Sequence, residues 1–126
     1  MRLAAAQAHQ TSRRDALARV LRYVREHLSE DVALNDAAEA AFLSPNYLAH
    51  LIKKETGKTF TEIVTERRLD KAQELLMSTG ARIGDIAREC GFADEAYFTR
   101  RFKQWFGVSP RQWRDSMRAR ITGKTA

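Results

Sequence analysis

The chain has 126 residues, 44% hydrophobic and 30% charged, which suits one compact domain or two small helical subdomains sharing a connector. A formal net charge of +6 and a pI near 9.9 favour a polyanionic partner. No apolar run approaches a membrane span, and the opening Met-Arg-Leu-Ala-Ala-Ala is too short for a signal peptide. Cys90 is the only cysteine, so an internal disulfide is excluded and a cytoplasmic setting is expected.

Charge is unevenly spread. Residues 12–58 hold eight basic and seven acidic side chains, residues 59–80 three and four, and residues 81–120 nine and five. The positive excess therefore lies in the second half.

Residues 1–11 show no apolar periodicity and read as a flexible tail. Ser12-Arg13-Arg14-Asp15 has the spacing of a capping box, opening a first helix with Leu17, Val20, Leu21, Val24 and Leu28 as its buried stripe. A short alanine-rich helix is expected from Leu34 to Ala41. Ser44-Pro45 then caps and starts a third helix, which stops at Gly57. Leu48, Leu51 and Ile52 share its inner face, while Asn46, Ala49, His50 and Lys53 lie outward. Thr59-Phe60-Thr61-Glu62 opens the longest helix, which runs to about Ser78 with Gly80 as its stop.

A fifth, short helix begins at Ile83. Asp94 caps a sixth, with Phe98, Phe102, Trp105 and Phe106 expected inward and Glu95, Ala96, Thr99, Arg100 and Lys103 outward. Gly107 stops it, Ser109-Pro110 starts a seventh with Trp113 and Met117 as contacts, and residues 119–126 read as a second tail. The expected fold is all-α. A first helix-turn-helix subdomain covers 12–58, a linker helix 59–79 and a second subdomain 80–118.

The two subdomains read as an internal repeat. A shift of 49 pairs Leu34 with Ile83, Asp36 with Asp85 and Ala38 with Ala87. A shift of 50 pairs Ser44 with Asp94, Tyr47 with Tyr97, Lys53 with Lys103 and Gly57 with Gly107. Adjacent major-groove faces on one side of a duplex lie ~34 Å apart, and a connector of about 20 residues spans about 30 Å. A single chain is thus expected to read an asymmetric site as a monomer.

The run from Arg68 to Leu76, then Ile86-Ala87, Gly91-Phe92, Tyr97 to Lys103, Gly107-Val108-Ser109-Pro110 and Trp113-Arg114, resembles the DNA-binding domain of the AraC/XylS transcription regulators. The resemblance covers about Ala16 to Arg118. It implies seven helices with the third and sixth in neighbouring major grooves. It also implies a regulator that is usually an activator recruiting RNA polymerase, either a stand-alone MarA/SoxS/Rob-like member or a severed output domain. Three departures stand out: Phe42 where the first turn usually carries Gly, Ala33 and Arg82 where helix starts favour Ser, and no Arg among Asn46, Ala49 and His50.

Arg100 is the leading candidate for base recognition, since Arg takes guanine O6 and N7 bidentately. Glu95 can accept from cytosine N4 or simply stabilise a first turn. Ala96 can meet a thymine methyl, Asn46 can read adenine, and Thr99, Ala49 and His50 complete the reading faces. Ser44, Tyr47, Lys53, Lys54, Tyr97, Arg101, Lys103 and Arg111 are candidates for phosphate contact, the cations otherwise being solvated and the tyrosines flanking the core. Cys90 reads as a small buried hydrophobe rather than a redox sensor. No nucleophile–base pair, phosphate loop or ligand spacing is present, so neither enzyme activity, cofactor nor metal is expected. The alternative is a helical interaction module that contacts polymerase or another regulator without binding DNA.

Overall fold

The computed structural model describes residues 2–121, with side chains from Ser12 onward. These residues form seven helices and no strand: α1 (Arg2–Glu26), α2 (Leu34–Ala40), α3 (Pro45–Thr56), α4 (Phe60–Ser78), α5 (Ile83–Glu89), α6 (Glu95–Phe106) and α7 (Pro110–Ile121). They divide into two compact units, Met1–Val64 and Thr65–Ala126, so the boundary falls inside α4.

The first helix corrects the expected tail. It begins at Arg2, and Ser12 lies within it rather than capping it. Ala4, Ala5, Ala6 and Ala8 supply helix propensity there without any apolar stripe. Of the expected C-terminal tail, residues 119–121 continue α7, and 122–126, like Met1, lie outside the described residues.

Unit 1 closes around Val20 and Val24 of α1, Leu28 just after it, Ala37 and Ala38 of α2, Leu48 and Ile52 of α3, and Phe60, Ile63 and Val64 from the start of α4. Unit 2 closes around Leu69, Ala72 and Leu76 from the rest of α4, with Ile86, Ala87, Cys90, Phe92, Phe98 and Phe102. Its centre is a run of ring contacts, with centroids 5.0 Å apart for Phe92–Phe98, 5.7 Å for Phe98–Phe102 and 4.4 Å for Phe102–Phe106. Tilted and edge-on pairs at such separations stabilise beyond their buried area. Trp105 departs from its expected inward place and is 49% exposed. The inner face of α6 is already filled by Phe98 and Phe102, both fully buried, and an indole one turn further on falls at the margin.

The repeat holds in backbone geometry. The α2–α3 turn places Phe42 at φ 59° and the α5–α6 turn places Gly91 at φ 90°. The next amide donates back to α2 or α5 in each, Leu43 N to Ala38 O and Phe92 N to Ala87 O, both at 2.9 Å. Gly57 and Gly107 end α3 and α6 in the left-handed region, their amides bonding Lys53 O and Lys103 O. That region disfavours a Cβ by roughly 1–2 kcal/mol, so Phe42, 85% exposed, is strained with little burial in return.

The end of α4 is not a glycine stop. Gly80 is not among the positive-φ glycines. Thr79 Oγ1 instead donates to Leu75 O at 2.7 Å and accepts from Ala81 N. Arg114 of α7, 8% exposed, donates from Nε to Leu76 O, from Nη1 to Ala81 O and from Nη2 to Thr79 O at 3.0, 2.6 and 3.2 Å. A helix leaves its last carbonyls without intrahelical partners, and this guanidinium fork serves the end of α4 and the approach to α5 together.

Two stability outcomes follow. Phe42→Gly should raise stability by about 1 kcal/mol by relieving the left-handed cost; thermal denaturation checks it, and an unchanged or lower midpoint would contradict it. Arg114→Met should cost about 3 kcal/mol, and Arg114→Lys should recover little of that, because a single ammonium cannot span three carbonyls. Urea denaturation of both variants measures the pair, and full recovery by Lys would refute the fork.

Candidate nucleic-acid interface

In unit 1 the outward face belongs to α3. Ser44 Oγ accepts from Tyr47 N at 3.2 Å, and Pro45 opens the first turn. With Leu48, Leu51 and Ile52 turned into the core, helical geometry leaves Asn46, Tyr47, Ala49, His50, Lys53 and Lys54 exposed. Lys53 also bonds its own helix end, Nζ to Gly57 O at 3.0 Å, so its charge lies at the C-terminus of α3. One neutral amide, one imidazole and two lysines give this face modest charge.

In unit 2 the corresponding face belongs to α6. Asp94 Oδ1 accepts from Tyr97 N at 2.7 Å, closing the helix start. Burial of Phe98 and Phe102 turns Glu95, Ala96, Tyr97, Arg100 and Lys103 to the surface, with Thr99 and Arg101 half-buried. The Tyr97 ring lies 6.2 Å from buried Phe92, and the Arg100 guanidinium carbon lies 6.0 Å from the Tyr97 centroid. The core thereby steadies a tyrosine, and the tyrosine limits the directions open to Arg100. Arg101, half-buried, donates from Nη1 to Gln104 Oε1 at 3.2 Å.

A groove of about 800 Å³ runs beside this face within unit 2. It brings Glu95 and Thr99 of α6 together with Gly84 and Arg88 of α5 and Arg111 of α7. Neither the groove nor the role of Arg114 is legible in the sequence, since three separate segments must fold together to form the groove. For Arg114 the only signal was its place in the Trp113-Arg114 pair. Neither Ala33 nor Arg82 gives α2 or α5 a side-chain cap, as the sequence suggests.

Chemistry other than binding finds little support. Cys90 is fully buried, and burial pushes its thiol up to about 11 despite the opposing Lys71 charge, so the nucleophilic thiolate is suppressed. Among the described residues no group of three or more His, Cys, Asp or Glu is placed to hold a metal ion, and no helix is long and apolar enough to cross a membrane.

Comparison with known proteins agrees with this geometry. A family model described as a helix-turn-helix domain matches residues 37–116. The transcriptional activator RhaR of Klebsiella pneumoniae is 36% identical over 109 residues, covering 86% of this chain and 39% of RhaR. The solved C-terminal domain of AraT, a response regulator from Geobacillus stearothermophilus, is 39% identical with a TM-score of 0.73, covering 80% of this chain and 84% of that one. The DNA-binding domain of AdpA, solved in complex with a target DNA, is 28% identical with a TM-score of 0.76, covering 84% and 96%. The chain spans under half the length of the curated relatives it matches. With its paired turns and capped outward helices, the chain belongs to the AraC-type helix-turn-helix family, whose members are DNA-binding transcription regulators and not enzymes.

Proposed function

We propose that the chain binds an asymmetric double-stranded site as a monomer, with α3 and α6 entering adjacent major grooves, and that it activates transcription by contacting RNA polymerase. The observation that carries this reading is the outward face of α6. It combines a closed helix start, a core-steadied Tyr97 and an exposed Arg100, all in the more basic half of the chain.

Arg100 takes a guanine edge through its two terminal nitrogens, Ala96 meets a thymine methyl, Glu95 accepts from cytosine N4 and Thr99 adds a hydroxyl. In α3, Asn46 reads adenine, and Ala49 and His50 fill out a less charged surface. Lys53, Lys54, Lys103, Arg101 and Arg111 contact phosphates, as do the hydroxyls of Tyr47, Tyr97 and Ser44. The activator role follows the likeness to RhaR, and the lone reduced cysteine fits a cytoplasmic setting.

Selection from a random duplex library should enrich one non-palindromic sequence of ~20 base pairs, two helical turns. Binding should weaken steeply with salt as counterions are released. If no sequence is enriched, the DNA-reading assignment fails and a polymerase-facing interaction module takes its place. On the enriched duplex, Arg100→Ala should cost ~1–3 kcal/mol and relax preference at one base pair. His50→Ala should cost less, and titrations showing equal or reversed losses would overturn the ranking of α6 over α3.

A further inference from the structure

Gly84 is out of place as a helix residue. It sits in the first turn of α5, and its φ is not positive, so the backbone has no need of glycine there. Alanine at a helical position is more favourable by roughly 0.5–1 kcal/mol. What the missing side chain provides is room. A Cβ at this position would lie 3.0 Å from Glu95 Oε2 and 3.7 Å from Glu95 Cδ.

Glu95 is the first residue of α6, whose backbone is held by the Asp94 cap and by fully buried Phe98 and Phe102. With Cα fixed, its carboxylate can be aimed only through the side-chain torsions, and the first turn of α5 limits those. The internal repeat supplies a control. In unit 1 the residue matching Glu95 is Pro45, which has no carboxylate to seat, and the residue matching Gly84 is Asn35, not glycine. Glycine and carboxylate occur together in one copy and are absent together from the other.

We propose that Gly84 is a positioning residue for DNA selectivity: the space above its Cα seats the Glu95 carboxylate against α5 and so fixes how Glu95 faces the base pair it reads. This rests on Glu95 being a base reader. A side chain at position 84 displaces the carboxylate by a few tenths of an ångström or more, and α5, with an alanine in its first turn, remains helical.

The test uses the full chain, the duplex enriched from the random library, and the single-base-pair variants of that duplex. Four proteins are compared: wild type, G84A, E95A and the double variant. G84A should melt no lower than wild type, yet lose about fivefold discrimination at the one base pair where E95A also loses it. Every other base pair should be read as before. The double variant should match E95A, because Gly84 acts only through the carboxylate. Wild-type selectivity in G84A, with E95A altered, would overturn the positioning role alone. An E95A protein that selects like wild type would show that Glu95 reads nothing, removing the premise as well. A lower melting temperature for G84A would show that the glycine serves packing instead, and would also overturn the proposal.

Discussion

Where α4 ends, the carbonyl of Leu76 and those of Thr79 and Ala81 just beyond the helix are taken up by a buried guanidinium from the other end of unit 2. Arg114 reaches Leu76, Thr79 and Ala81 across 38, 35 and 33 residues of sequence. These bonds tie α7 to the point where α4 hands over to α5. A charged donor buried without acceptors would be costly, and carbonyls buried without donors nearly as much, so each partner needs the other. The placement of α5, and with it the floor on which α6 rests, depends on that exchange.

Unit 1 solves the same problem at its helix ends with local bonds. Thr56 Oγ1 donates to Ile52 O at 2.6 Å, and Lys53 Nζ reaches Gly57 O. Its turn carries the cost that unit 2 avoids, with Phe42 in a conformation that Gly91 adopts freely. Arg19 lies over the Phe42 ring at 5.8 Å, a cation–π contact that returns part of that cost. The two copies thus share a backbone plan and differ in how it is stabilised.

They differ also in what they present. On α6, the Phe92–Tyr97–Arg100 series runs from the core to the surface, so core packing limits the freedom of a long cation. Ordering lost before binding need not be lost on binding, which favours selective contact over diffuse attraction. On α3 the exposed face carries no arginine, and Lys53 is engaged with its own helix end.

Sequence alone carried the helices of the two units, their order, and the caps at Ser44, Thr59 and Asp94, because each is a local matter of propensity, apolar spacing and hydrogen bonds within three or four residues. It carried the repeat as matching residue types at a fixed offset, and the family likeness marked Phe42 as standing where the first turn usually carries glycine. It misjudged the start of α1, where helix propensity acts with no apolar stripe to mark it, and the inward place of Trp105, where two phenylalanines had already filled the core. Tertiary structure alone decided the end of α4 and the space Gly84 leaves for Glu95. Each of these joins residues far apart in the chain or on different helices, and no local pattern encodes which carbonyl, ring or cavity a folded neighbour will bring within reach.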